Sequence, residues 1–450
     1  MTKNAFPNGS RSNVRRKTAR KVLLLIAAMS FTASAARAQA LPAAEASPIS
    51  TGFSIPSVGG SLQWAVSASS SFDWGYYSKS GATGGTSVSG DVAYLSESKY
   101  HPFSMVLAAG NTWGWTKQPS YRFASLGLSQ LINVGRWNFT LSDNVSYLPQ
   151  TATSNLSGVP GVGDLGVAPI QIGPDGGQGL LTNYSPQVSN AAGGSVLRQI
   201  TGKTAFNASG SYSILRFVDS SNGGLGLEGD TVTGSAGITH RLNARNTFGG
   251  NYAYSSYKFL NNLNLGFPQS NFTSQTASFT YSHQVSRRLS FNVAAGPEWT
   301  KINYAQNPVT VNAYADVSVH YATRFGHMLG AYVRSTNSGF GVVGGSLSDS
   351  VTFTATRLHR EVWSTTASVG WTHTSSLPTP NAIAYDVKTL VAGFQVSRAL
   401  SHSLSAFTSF TVEHQTHAST FGTVNLFDGN NNILAFGITY SPVSRRFARP

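Results

Sequence analysis

The sequence predicts an all-β fold: a transmembrane, antiparallel, up-and-down β-barrel of about 18 strands, with about 16 as the alternative. Three observations support it. Many segments of about ten residues alternate apolar and polar side chains, as a two-faced strand does. Only 11% of the residues are charged and 46 are glycine, whereas a soluble protein of this size carries roughly 25% charged residues. The first forty residues have the composition of a cleaved secretory signal.

The N-terminal segment, residues 1–40, is predicted to be a signal peptide. Arg15 and Arg16 belong to a basic region, residues 22–29 form a short apolar core, and Ala36-Arg37-Ala38 or Ala38-Gln39-Ala40 offers a small-residue cleavage site. The apolar core is too short to span a bilayer, because a spanning helix needs about 20 residues. Residues 41–60 are predicted to be a short periplasmic lead-in to the barrel.

The basic character of the chain belongs largely to this signal segment. After residue 40 the sequence contains 23 Lys and Arg against 17 Asp and Glu. These basic residues are scattered along the chain, so we predict no nucleic-acid binding. The sequence has no cysteine, which excludes disulfides and thiol catalysis.

The alternation is clearest in residues 271–323, which contain three successive strand patterns. In the third, Val311, Val317 and Val319 alternate with Asn312 and Ser318. Because successive side chains of a strand point to opposite faces, each pattern has one apolar and one polar face. The barrel is predicted to cover residues 61–441, followed by a tail at 442–450. The predicted strands are 61–72, 87–96, 103–115, 121–132, 137–147, 189–198, 203–217, 230–241, 247–258, 271–285, 289–302, 309–323, 327–337, 346–357, 362–375, 385–397, 403–416 and 431–441.

The alternation is weakest at 61–96 and 189–198, which leaves the sixteen-strand alternative open. The connections between strands are of two kinds. Tight turns that carry arginine, such as the one at Arg287 and Arg288, separate long connections rich in Asn, Gly and Pro. Short turns on one side and long loops on the other are typical of outer-membrane barrels, whose short side faces the periplasm.

One connection is exceptional. Residues 148–188 have no sustained alternation and are rich in glycine and proline, which excludes regular strand pairing. In the predicted order it is the third long loop, and loops of this length are uncommon unless they are functional or disordered. Asp164 and Asp175 are its only charged residues.

The signal, the even number of antiparallel strands, the tight turns and the long loops together resemble bacterial outer-membrane β-barrels of the porin type. The resemblance is architectural and covers residues 61–441. It implies location in a Gram-negative outer membrane, with outer-membrane lipid and the barrel-assembly machinery as partners and possible homo-oligomers. The segment 433–440 resembles the closing strand of such barrels. In porins the third loop narrows the pore, so Asp164 and Asp175 are constriction-loop candidates.

The polar parity of the strands identifies candidate pore-lining residues. They are Asp91, Glu298, Asp316, His320, Arg334 and Glu413. A water-filled lumen would accommodate these charges, whereas an arginine on the lipid face at the bilayer midplane costs about 2–4 kcal/mol. Asp143 and Asp349 fall on the apolar parity instead; Asp349 lies near a loop, and Asp143 indicates a bulge or a different register.

The sequence offers no catalytic, cofactor-binding or metal-binding constellation, so we predict a protein that is not an enzyme and needs no cofactor. His414 and His417 are the closest pair of histidines, but residues three apart in a strand point to opposite faces. The segment from Arg334 to Gly339 contains Ser and Asn without an adjoining His, which a hydrolase triad would need.

Three functions follow, in decreasing order of support. The first is a porin-like channel for passive diffusion of small hydrophilic solutes. The second is a structural or export-accessory barrel with an occluded lumen, for example in surface polysaccharide secretion. The third, and the least supported, is an outer-membrane hydrolase that depends on His414.

Overall fold

A computed structural model describes residues 52–55, 60–75, 83–96, 98, 101–115, 120–148, 187–218, 228–260, 271–303, 309–338, 345–359, 362–377, 385–419 and 428–442. Every regular element among them is a β-strand. No helix in these ranges has the length and hydropathy needed to cross a membrane. The predicted signal peptide, most of the lead-in and the tail beyond Pro442 lie outside the described residues.

Nineteen strands follow one another along the described chain. They are β1 (Gly52–Ile55), β2 (Gly60–Trp74), β3 (Thr83–Ser96), β4 (Phe103–Trp115), β5 (Tyr121–Val134), β6 (Trp137–Leu148), β7 (Gln187–Gln199), β8 (Thr204–Phe217), β9 (Gly229–Arg241), β10 (Asn246–Phe259), β11 (Phe272–Gln284), β12 (Leu289–Ile302), β13 (Thr310–Thr323), β14 (Gly326–Asn337), β15 (Ser346–His359), β16 (Trp363–Ser376), β17 (Tyr385–Ala399), β18 (Leu404–Ser419) and β19 (Gly429–Tyr440). Most have 12 to 16 residues, enough for a tilted strand to cross a bilayer.

The strands β2 to β19 form a closed ring. Each pairs antiparallel with the next one in sequence, and β19 returns to pair with β2 from Tyr440↔Val66 to Asn432↔Trp74. The short strand β1 pairs with the same edge of β2, at residues 60–63, beyond the part that β19 uses. It therefore lies outside the ring, which has 18 strands. The eighteen-strand prediction is confirmed, and the weak segments at 61–96 and 189–198 form β2, β3 and β7.

The closed wall has two chemically different faces. The outer face carries exposed apolar side chains, among them Phe279 (60%) and Val311 (61%). The inner face is rich in Ser and Thr, whose hydroxyl groups meet across neighbouring strands. Ser67 Oγ lies 2.9 Å from Thr439 Oγ1 on β19. These cross-strand contacts satisfy polar side chains that face inward.

From β5 onward, short and long connections alternate around the ring, as predicted. The turn between β5 and β6 consists of Gly135 and Arg136, and Gly135 has a φ of 60°, which favours glycine. Aromatic and basic residues cluster on the outer face at this end. The Arg198 guanidinium lies 4.7 Å from the ring centroid of Trp137, and Arg398 lies 5.0 Å from that of Trp363. This end therefore has the girdle expected at a membrane–water boundary.

The backbones of β11 and β12 approach each other closely at Gly296. The register runs from Thr276↔Glu298 to Phe279↔Ala295, but no pair forms at Pro297, which has no backbone N–H. A Cβ added at Gly296 would lie 1.9 Å from the carbonyl oxygen of Ala277. Only glycine fits this approach of the two backbones.

Replacing Gly296 with Val should therefore destabilise the barrel, by about 1–3 kcal/mol if the wall relaxes as an overpacked core does. The measurement is the urea midpoint of the detergent-folded protein, followed by its heat-modifiable mobility in gels. Gly250→Val is the matched control, because a Cβ at Gly250 meets nothing within 4 Å. Equal midpoints for the two variants would contradict the close approach.

Candidate functional site

The structure places five of the six predicted pore-lining residues on the inner face. Asp91 pairs in register with Ala65 and Ala108, Glu298 with Thr276 and Asn312, Asp316 with Ala294, His320 with Ser290, and Glu413 with Asn431. All these partners face inward. Asp91, Glu298 and Glu413 are buried, Asp316 is half-buried and His320 is exposed. Their contribution to a pore remains a prediction.

The sixth residue, Arg334, lies on the outer face, so its assignment to the lumen was wrong. It pairs with Ala315 on β13 and Asp349 on β15. Arg334 Nη1 contacts both carboxylate oxygens of Asp349, at 2.9 and 3.0 Å, and the Tyr332 hydroxyl donates to the same carboxylate at 2.7 Å. The ion pair offsets the cost of an outward-facing charge. Because β14 carries apolar residues on both faces, its alternation does not show which face is the inner one.

Asp143 also lies on the outer face, but without a bulge. Its register is regular, opposite Leu128 on β5 and Ala192 on β7. The side-chain amide of Asn190 donates to Asp143 Oδ1 at 2.5 Å. The Asn190 amide therefore accommodates the Asp143 carboxylate on the outer face, and the backbone of β6 stays regular.

The two histidines of β18 point to opposite faces, as their spacing predicts. His414 lies on the outer face, with Nδ1 2.7 Å from Asn430 Oδ1. His417 pairs with Val387 on the inner face. Within the described ranges, no group of three or more His, Cys, Asp or Glu residues could hold a metal ion.

The two constriction-loop candidates cannot be placed. β6 ends at Leu148 and β7 begins at Gln187, so Asp164 and Asp175 lie in a stretch outside the described residues. Their role stays a prediction that rests on the sequence.

A different element folds toward the interior of the ring at the long-loop end. The ladder between β13 and β14 stops at Ala315↔Arg334, although β13 extends back to Thr310. Thr336 on β14 nevertheless lies beside β12, with its Oγ1 3.3 Å from that of Thr300. In a regular wall these two strands would be roughly 10 Å apart, because β13 lies between them. The end of the β14–β15 hairpin must therefore fold inward, across the inner face of β13.

Glu298 holds this inward fold in place. Its carboxylate accepts the backbone N–H of Thr336, at 3.1 and 3.3 Å, and the hydroxyl of Ser274, at 2.6 Å. The Thr336 N–H is the donor that a continued ladder with β13 would have used. Because an unpaired buried N–H costs roughly 1–3 kcal/mol, the carboxylate makes departure from the ladder possible.

An apolar cluster packs the base of the same hairpin. It consists of Phe259, Phe272, Ile302 and Leu377, with Tyr257 against it. Gly345, just before β15, has a φ of 101°, and a Cβ there would lie 2.6 Å from Phe272 and 2.8 Å from Leu377. Glycine is therefore required both by the backbone and by the packing.

A second buried polar group lies on the inner face of β17, β18, β19 and β2. Asn431 Nδ2 donates to Glu413 Oε2 at 2.9 Å and also bonds to Asp73. Next to it on β18, Gln415 Oε1 accepts the hydroxyl of Thr389 at 3.0 Å. Two carboxylates from opposite sides of β19 thus share one amide.

Solvent exposure of the inner face is uneven around the ring. Ser67, Ser89, Ser348, Thr374 and Ser409, on strands from β15 through β19 to β3, are all buried. Inward-facing residues of β8 are half-exposed along its whole length. The described inner face is therefore not a uniform cylinder.

Sequence reasoning identified Glu298 but missed its role, and it missed Thr336 and Gly345 entirely. Thr336 has the outward parity of β14, so no alternation rule assigns it to the interior. The only signal was the cluster of glycines between β14 and β15. The glycines indicate an unusual connection between β14 and β15, but they do not indicate which strands this connection contacts.

No family model matches the sequence, and no curated protein matches it. Among solved structures, the chain is similar to Pseudomonas aeruginosa OccK2 (OpdF), with a TM-score of 0.43, 8% identity, and coverage of 85% of this chain and 98% of that one. The same protein in complex with glucuronate gives 0.44 and 11%, with coverage of 84% and 98%. The outer membrane protein OpdK of P. aeruginosa gives 0.40 and 10%, with the same coverage.

A disulfide can test the inward fold, because the chain has no native cysteine. In the Thr300→Cys, Thr336→Cys double variant we expect spontaneous oxidation of most of the folded protein, since the two side chains are in contact. The product is detected as a mobility shift of the denatured, non-reduced chain.

The matched control is Thr300→Cys with Thr352→Cys. Thr352 lies on β15, three strands along the wall from β12. The spacing of the strands alone separates it from Thr300 by roughly 14 Å. This variant should stay reduced. Equal cross-linking in both variants, or none in the first, would show that the hairpin stays in the wall.

Proposed function

We propose that this chain forms a channel in a bacterial outer membrane, through which small hydrophilic solutes diffuse passively. The observation that supports it best is the chemical difference between the two faces of a closed 18-stranded wall. An apolar outer face suits lipid, and a hydroxyl-rich inner face suits water. No helix or soluble core is needed to account for the described strands.

Closure also supports the membrane location. A sheet whose last strand pairs with its first has no edge, so all ladder hydrogen bonds are made within the protein. Lipid offers no alternative partners for backbone N–H and C=O groups, and for this reason closed barrels are one of only two spanning architectures. Outer-membrane lipid and the machinery that inserts such barrels are the partners that this location implies.

A second function keeps specific support. The inward fold of β14–β15 and the buried inner-face hydroxyls from β15 to β3 are also what an occluded accessory barrel would have. The hydrolase hypothesis gains no such support, because His414 lies on the outer face, away from the inner wall.

Purified protein in a planar lipid bilayer should produce stepwise conductance. The Glu298→Ala variant should conduct more than the native protein or switch between extra levels, because Thr336 loses the acceptor that holds the hairpin inward. Asp230→Asn is the control: Asp230 lies on the outer face beside Arg216. It should leave the conductance unchanged.

The outcomes separate the two functions. Native conductance supports the channel. A silent native protein that conducts after Glu298→Ala indicates an occluded accessory barrel, whereas a barrel that never conducts in either form rejects a transport role.

A further inference from the structure

The end of the barrel that carries the short turns is rich in cations. Among the described residues, ten exposed Lys and Arg side chains lie in these turns or within three residues of them. We call them the turn-end collar; they are Arg136, Arg198, Lys203, Arg241, Arg245, Arg287, Arg288, Arg324, Arg357 and Arg398. A guanidinium keeps its charge at any working pH, and every one of these side chains is in contact with solvent.

The described chain does not neutralise this charge. No described Asp or Glu lies within four residues of any member of the collar. The short connections contain two acidic residues, Glu97 and Glu361, which lie outside the described residues. The ion pairs that form among the described residues lie nearer the long loops; they are Arg216 with Asp230, Arg334 with Asp349, and His373 with Asp386. The turn-end collar is therefore a surface of net positive charge.

Two arginines of the collar have the same geometry on nearly opposite sides of the ring. Arg198 pairs in register with Trp137, the first residue of β6, and Arg398 pairs with Trp363, the first residue of β16. Each guanidinium lies over its indole, at 4.7 and 5.0 Å from the ring centroid. Neither forms an ion pair with a described residue. Stacking fixes the plane of the guanidinium and leaves N–H groups at its edge, where an anion can accept two of them.

The position of these two pairs indicates which anion they bind. Trp137 and Trp363 face outward, away from the lumen, and they belong to the girdle at the membrane–water boundary. The phosphate groups of membrane lipids lie at the same boundary. The acyl chains of a lipid keep its phosphate at this depth, and basic residues near a membrane surface attract anionic lipids.

We propose that the turn-end collar binds the phosphate groups of anionic phospholipids, with the Trp137–Arg198 and Trp363–Arg398 pairs as two headgroup sites. The proposal rests on the membrane location given under the proposed function and does not depend on conduction. The guanidinium donates two N–H groups to phosphate oxygens, and the indole packs against the glycerol and the first acyl carbons. A zwitterionic headgroup carries an ammonium group that the collar repels. Phosphatidylglycerol should therefore bind more tightly than phosphatidylcholine.

The test is native mass spectrometry of the full-length protein, folded in detergent, with equimolar phosphatidylglycerol and phosphatidylcholine that have identical acyl chains. We expect at least about threefold more bound phosphatidylglycerol than phosphatidylcholine. In the Arg198→Gln, Arg398→Gln variant, the affinity of each site for phosphatidylglycerol should fall roughly fivefold, as expected for one basic residue at an anionic lipid surface. The binding of phosphatidylcholine should stay the same.

The matched control is Arg122→Gln with Lys301→Gln, which removes the same charge from exposed, outward-facing residues near the long loops. This variant should bind phosphatidylglycerol as the native protein does. The Arg198→Lys, Arg398→Lys variant keeps the charge but loses the planar fork, so it should prefer phosphatidylglycerol with reduced affinity. Heat-modifiable mobility in gels verifies that each variant is folded.

Equal binding of the two lipids by the native protein would overturn the proposal. An equal loss in the control variant would also overturn it, because the lipid would then respond to charge anywhere on the barrel. A protein that binds phosphatidylglycerol at the collar but never conducts in a planar bilayer would reject the channel and leave this proposal intact. A chain that stays folded in water without detergent would overturn the membrane location and this proposal with it.

Discussion

Hydrogen bonding of every wall strand to two neighbours is the constraint on which the rest of this structure depends. In lipid, an unpaired backbone N–H or C=O finds no water to hydrogen-bond with, so the sheet must close on itself. The pairing of β19 with β2 achieves this. Once the ring is closed, each residue has a fixed face, and the sequence needs only an alternation of side chains to match two different surroundings. Among the described strands, the end of β14 departs from the ladder toward the inside of the ring, where Glu298 replaces the lost partner.

The acidic residues of the outer face that are described above lie in matched groups. Asp143 is bonded to Asn190, Asp230 to Arg216, and Asp349 to Arg334 and Tyr332. On the inner face, Glu298 accepts a hydroxyl and a backbone N–H, and Glu413 shares the Asn431 amide with Asp73. A carboxylate that is withdrawn from water needs hydrogen-bonding or cationic neighbours on either face.

The sequence was sufficient to predict the strands of the wall. It was not sufficient to predict the contacts that form inside the ring. All 18 strands were predicted because alternation is a local property, and even the weak patterns at β2, β3 and β7 were strands. Parity placed Asp91, Glu298 and Glu413 correctly on the inward-facing side of the wall. It misplaced Arg334, because β14 is apolar on both faces and its alternation carries little information. Thr336 and Glu298 are 38 positions apart on strands that are not neighbours. The alternation of side chains along a strand cannot predict a contact of this kind.

The infolded end of β14–β15 also has a mechanical consequence. A wide ring of strands can flatten, since its cross-section is held only by bonds around the circumference. The bonds from Thr336 to Glu298 and Thr300, together with the packing of Gly345 on Phe272, run along a chord of that cross-section. Flattening the rim would require these bonds to stretch or break. The inward-folded hairpin therefore resists flattening of the barrel on this side of its rim.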